Sequence, residues 1–169
     1  NYVGCGGCVD VEGEDDVMAW ADLLTSFTKV GFTDEDVDNV TKLLAAIIHI
    51  GQLKFVSGAG DTLEVTGATS THLLSACECL GMESETFRQV LLYKALTTTI
   101  AKRKSVTLSP YTAAQAKENR DATSKEIYTR LFDYIVDKIN LSINLDSDGN
   151  ATKISPSNTS NSRTAYKDG

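Results

Sequence analysis

The run Leu43-Leu44-Ala45-Ala46-Ile47-Ile48-His49-Ile50 constrains the fold more than any other stretch of this chain. It continues a helical pattern that begins at Thr33, a good N-cap. Asp34, Glu35 and Asp36 fill the first turn, and Val37, Val40, Leu44 and Ile47 recur at i, i+3, i+7 and i+10. Over residues 43–50 the pattern loses its polar side, and a helix that is apolar all round belongs inside a larger body. A chain of 169 residues has few elements with which to enclose such a rod, so segments that pack on it are expected to lie outside this sequence. His49 has no acid or cysteine at helical spacing around it, and is read as a packed core histidine rather than a ligand or base.

The other elements follow from local signals. Residues 1–14 are glycine-rich and acidic and read as loop, and a helix is expected from about Asp15 to Val30, with Val17, Trp20, Leu23, Leu24 and Phe27 at helical spacing before Gly31. Leu53–Val56 and Thr62–Val65 read as two short strands joined by a turn at Gly58-Ala59-Gly60-Asp61. Helices are predicted over about Ser70–Leu80 and Glu83–Tyr93, parted by Gly81. Thr97–Leu108 is β-prone and polar, an extended excursion closed by Pro110. A long helix from about Thr112 to Ile143 carries Ile127, Leu131, Tyr134 or Ile135, Lys138 or Ile139, and Ile143 on its apolar face. From Asp146 the chain is Ser, Asn, Thr, Asp and Gly, and disorder is expected. The fold class is therefore mainly α with a small β-hairpin and a long C-terminal helix.

Charge and cysteine usage narrow the partners. The formal net charge is −7, but residues 1–38 hold ten acids against Lys29 alone, which leaves the remainder slightly positive. Lys102-Arg103-Lys104 is the only run of three bases, so an acidic partner would be drawn there. A nucleic-acid binder would be far more basic. No apolar run is long enough to span a membrane, and no basic-then-apolar start reads as a signal peptide. Cys5-Gly6-Gly7-Cys8 and Cys77-Glu78-Cys79 fit a four-ligand zinc site poorly, because the second pair has one intervening residue on a helical segment. Reduced thiols in a cytoplasmic protein are the favoured reading, with a small zinc-dependent protein as the weaker one. Asp146-Ser147-Asp148-Gly149-Asn150 has its Gly too early for a calcium loop and no closing Glu. Four N-x-[ST] sequons, at Asn39, Asn140, Asn150 and Asn158, matter only in a secreted chain.

Two stretches carry a family resemblance. Gln115-Ala116-Lys117-Glu118-Asn119-Arg120-Asp121-Ala122, leading into Ile127-Tyr128-Thr129-Arg130-Leu131-Phe132-Asp133-Tyr134-Ile135-Val136, resembles the myosin motor signature QAxxxRDALAKxxYxRLFxWLV. Leu44-Ala45-Ala46-Ile47-Ile48-His49-Ile50-Gly51-Gln52-Leu53-Lys54-Phe55 resembles the myosin LAAILHLGxxxF stretch, in the right order. Asn1-Tyr2, the Gly/Cys loop and Asp15-Asp16 are similar to a YLxxG…DD element, and Leu80-Gly81 to the LG before the next helix. The chain departs from the pattern at Thr123 and Ser124, where the family has Leu and Ala, and at Tyr134, where it has Trp.

The resemblance covers residues 1–144 and implies a fragment of a P-loop motor domain, from the upper fifty-kilodalton, actin-facing subdomain, followed by a polar tail or insertion over 145–169. It implies an ATP-driven, actin-based motor in the cytoplasm, with the remainder of the motor domain as partner. Thr97 to Pro110 would be the actin-contacting loop, through Lys102, Arg103, Lys104 and Ser105. Gln115, Arg120 and Asp121 belong to the signature helix. The residue sixteen before Asp121 is Ser105, the position that in many myosins carries an acid or a phosphorylated hydroxyl, and Arg103-Lys104-Ser105 would suit a basophilic kinase. No G-x-x-x-x-G-K-[ST] loop, NxxSSRFG or DIxGFE occurs, and Ile154-Ser155-Pro156-Ser157-Asn158 stands where the last is expected. ATP and Mg2+ would therefore belong to the parent motor, and no catalytic or metal-binding residue is assigned here. The rival reading is a stand-alone helical interaction module without ATPase activity.

Overall fold

The computed structural model describes Gly7 and residues 11–58, 62–100 and 103–143, with the backbone alone at 98–100 and 103–105. Among the described residues, five α-helices and two antiparallel strand pairs follow one another: α1 (Asp16–Lys29), α2 (Asp34–Gln52), β1 (Phe55–Ser57), β2 (Leu63–Val65), α3 (Ser70–Leu80), α4 (Ser84–Leu92), β3 (Tyr93–Ile100), β4 (Arg103–Pro110) and α5 (Ala113–Ile143). A 3-10 turn, Gly67–Thr69, leads into α3.

Each boundary has a local cause. Asp15 caps α1 by accepting from the N–H groups of Val17 and Met18. Thr33 and Asp36 form a reciprocal capping box on α2, satisfying two donors that the first turn leaves over. Glu83 caps α4 as Asp15 caps α1, its carboxylate accepting from the N–H groups of Glu85 and Thr86. At the end of α3, Gly81 takes a left-handed conformation, φ 62°, and the Met82 N–H returns to the Cys77 carbonyl. In the small sheet Phe55 pairs with Val65 and Ser57 with Leu63, and the Gly58 N–H donates to the Thr62 carbonyl. Ala59, Gly60 and Asp61 of the expected turn lie outside the described residues.

The main core joins α2, β2, α3 and α4 through Ile50, Leu53, Val65, Leu73, Ala76, Cys77, Phe87 and Leu91. Ile50, Leu53, Leu73 and Leu91 are its largest fully enclosed side chains, each contributing about 1.5–3 kcal/mol of burial. A second cluster, Phe27, Phe32, Val40 and Leu131, holds the end of α1 and the middle of α5 against α2.

The apolar faces are less covered than the sequence periodicity predicts. On α1 only Phe27 is buried, whereas Val17 is 79% and Trp20 44% exposed, because only the C-terminal turn of α1 enters the second cluster. On α5, Leu131 is buried but Ile143 is 72% exposed. A helix of 31 residues is about 46 Å long, and its end outruns the 19-residue α2 beside it. Ile48 of the all-apolar run is also exposed, so α2 is not enclosed on every side. His49 is half-buried and bonded to His72, rather than sealed in the core.

Candidate functional site

The basic run falls on a hairpin that separates α4 from α5. Helix α4 ends where Tyr93 adopts an extended conformation, and the chain continues without a loop into β3. The strands pair from Tyr93↔Pro110 through Thr98↔Ser105 and Thr99↔Lys104 to Ile100↔Arg103, so the extended segment is longer than the sequence suggests at both ends. Arg103, Lys104 and Ser105 are thus the first three positions of β4, at the end of the ribbon away from Tyr93. Lys102 lies outside the described residues.

The hairpin leaves the body as it goes. Leu92 at its root is buried, Tyr93 and Lys94 are half-buried, and Ala95, Leu96 and Thr97 are exposed, as are Val106, Thr107 and Leu108 opposite them. A two-stranded ribbon is marginally stable on its own, so its root must be fixed. The Tyr111 N–H donates to the Leu92 carbonyl at 2.8 Å, closing the base across both strands. Leu92 packs with Leu63 and Ala116, flanked by Phe55, Tyr93 and Tyr111.

The signature helix supplies the rest of that anchor. Gln115 caps α5: its Oε1 accepts from the Thr112 N–H at 3.1 Å, while its own N–H donates to Thr112 Oγ1 at 3.3 Å. The Thr-x-x-Gln spacing, a capping box legible in the sequence, places the start of α5 directly after the hairpin. Asn119 Nδ2 donates to the Val90 carbonyl at 2.8 Å, holding the last turn of α4. Arg120 is buried; its Nη1 donates to the Leu53 carbonyl at 2.7 Å, and its Nε and Nη2 donate to Asp121 Oδ1 at 2.8 and 2.6 Å. Gln115 and Asn119 thus fix the base of the hairpin, while Arg120, with Asp121, ties α5 to the end of α2; none of them belongs to the hairpin. Asn119 had no signal beyond its place in the motif, because its partner lies 29 residues away.

Departures from the signature are accommodated locally. Thr123 Oγ1 donates to the Asn119 carbonyl one turn back, and Ser124 is small enough to stay buried. Tyr134 OH donates to Asp36 Oδ1 at 2.5 Å, and Lys138 Nζ donates to Asp36 Oδ2 at 2.9 Å while lying 5.5 Å from the Phe32 ring centre. Lys138, then Tyr134, then Thr33 hold the Asp36 carboxyl far below the ordinary carboxylate range. The same carboxylate pushes Lys138 and Tyr134 up. This clamp ties the cap of α2 to the distal part of α5.

Two other regions carry less chemistry. A cleft between α1, α2 and α5, lined by Trp20, Leu23, Phe27, Val40, Leu44 and Phe132 among others, presents apolar side chains with no converging polar groups, so it offers surface rather than chemistry. On α3, Cys77 is buried and desolvation pushes its thiol up, which opposes the thiolate a metal needs; Cys79, two residues on, is half-buried. Cys5 and Cys8 lie outside the described residues, and among those described no group of three metal-ligating side chains occurs. No described helix is long and apolar enough to cross a membrane.

Comparison with known proteins gives these features their setting. Residues 1–155 match the family profile described as "Myosin head (motor domain)". The chain is 33% identical over 146 residues to the myosin IE heavy chain of Dictyostelium discoideum, covering 85% of this chain and 14% of that protein. It is 34% identical over 140 residues to human unconventional myosin-Vc, covering 83% and 8%. To the high molecular weight form of myosin-1 of Acanthamoeba castellanii it is 32% identical over 158 residues, covering 90% and 10%. It thus spans a small part of the length of these relatives. The chain belongs to the myosin head (motor domain) family.

Proposed function

We propose that this chain is part of an ATP-driven motor that works on actin filaments in the cytoplasm, and that the β3–β4 hairpin is the element by which it meets actin. The observation that carries the reading is the placement of Arg103, Lys104 and Ser105 at the far end of a ribbon whose described side chains become exposed away from its root. A basic strand end at the tip suits an acidic filament, and a root fixed by Tyr111, Gln115 and Asn119 transmits load to the helices. Lys102 is assigned to the same contact from its sequence position. ATP and Mg2+ are assigned to residues of the parent motor outside this sequence, which holds no phosphate loop.

Ser105 is the regulatory position of this reading. Phosphate there adds about −1.5 to −2 charges and three acceptor oxygens next to two bases, supplied by a kinase that selects upstream bases. Phosphorylation then reorders Arg103 and Lys104 and raises the actin-activated ATPase rate. The test is the motor head carrying Ser105→Ala or Ser105→Glu: the acid is expected to support the faster actin-activated rate, with basal ATPase unchanged. Equal actin-activated rates for the two variants would refute it.

A further inference from the structure

Between α2 and α3, His49 Nδ1 and His72 Nδ1 stand 3.0 Å apart, on two half-buried side chains. Their ring centres are 5.2 Å apart and the planes are inclined at 37°. That separation is the N···N distance plus little more than one ring's width, so the nitrogens face each other nearly head-on. This is the line of an N–H···N hydrogen bond, in which one imidazole donates and the other accepts. A shared metal would need a different arrangement, because an ion about 2.0–2.1 Å from each nitrogen draws both lone pairs to a point off that line.

We propose that His49 and His72 form a proton-gated clasp between α2 and α3, closed while the pair holds at most one added proton and opened by the second. The neutral pair makes one hydrogen bond, and a single added proton makes that bond charge-assisted. With both rings protonated, two N–H donors and two positive charges meet at the same 3.0 Å, and the bond cannot form. Two imidazoles that share a bond take up their protons in two steps, the second at lower pH than the first.

Helix α2 carries no charged residue from Leu43 to Gln52, and α3 none from Ser70 to Cys77. Lys42 is two turns away and paired with Asp38, while Lys54 follows the end of α2 and Glu78 and Cys79 lie beyond the pair on α3. From α5, Asp121 and Lys125 approach Ile47, and Arg120 reaches Leu53 with its charge offset by Asp121. From α4, Glu83 and Arg88 act on Cys77.

When the clasp opens, the folded pair holds fewer protons than it would if both rings were free, until they turn to solvent, so stability falls as pH falls. The loss levels off at about two- to tenfold in the folded-to-unfolded ratio, the range of one net hydrogen bond, since half-buried rings can reach water once released. Denaturant unfolding of the full chain across about pH 7.5 to 5 reads it. Wild type is expected to lose that factor relative to His72→Gln, whose amide can donate to or accept from His49 in either state. The double variant His49→Gln/His72→Gln shows no such loss. Ring NMR titration of the wild-type chain is expected to show two separated steps. Equal pH dependence in wild type and variants, two rings titrating together as free imidazoles, or stoichiometric zinc binding that His72→Gln abolishes would each overturn the clasp.

Discussion

Replacing Arg120 with Met keeps most of the stem's packing and removes the guanidinium that joins α5 to the end of α2. The Leu53 carbonyl then loses a charge-assisted donor at 2.7 Å inside the core, where Leu53 itself is fully buried. A hydrogen bond to a charged group is worth about 1.5–3 kcal/mol, and an orphaned buried acceptor costs about 1–3 kcal/mol, two descriptions of one loss rather than a sum. The Asp121 side chain is 42% exposed and can be rehydrated, so its lost ion pair adds less than about 1 kcal/mol. The expected destabilisation is about 2–4 kcal/mol. Denaturant unfolding followed by the helical circular dichroism signal measures it as a lower midpoint with an unchanged slope. Arg120→Lys should recover only part of the loss, because an ammonium cannot reach Leu53 and Asp121 together with the fork that Arg presents. A loss below about 1 kcal/mol for Arg120→Met would show that the Leu53 contact does not hold α5, and full recovery by Lys would show that the guanidinium fork is not needed.

The Asp36 clamp makes a prediction about acid. A carboxyl held low in the folded state contributes stability that is present above its unfolded titration range and is lost only as pH falls toward its folded one. The clamp therefore persists through mild acid. Tyr134→Phe removes one donor to Asp36, so the carboxyl should titrate at higher pH, which carboxyl NMR would read directly; an unmoved titration would sink the clamp. At the end of α3, Gly81→Ala forces a side chain into φ 62° where nothing crowds it, so the cost is backbone strain alone, about 1–2 kcal/mol in unfolding. A neutral effect there would mean that the turn relaxes.

The order and nearly the bounds of the helices were legible because their causes are local. Thr33 with Asp36, Asp15, Gly31 and Gly81 act within one turn of the helix they start or stop, and apolar spacing within a helix is visible without knowing what it faces. The β-prone stretch after α4 was legible for the same reason, as was the basic run upon it. The Thr112–Gln115 box was also available, as a spacing of three.

What remained to be discovered lies between elements. Asp36 meets Tyr134 and Lys138 across 98 and 102 residues, Arg120 meets Leu53 across 67, and His49 meets His72 across 23. No local pattern encodes these pairs, because each exists only once two helices have settled at a particular angle and register. The same holds for exposure: an apolar stripe on α1 or α5 says that a face can be buried, while the length and placement of the neighbouring α2 decide how much of it is. Local backbone chemistry thus sets where each rod begins and ends in this protein, and packing selects which side chains meet, since a contact's energy depends on geometry that chain neighbours do not share.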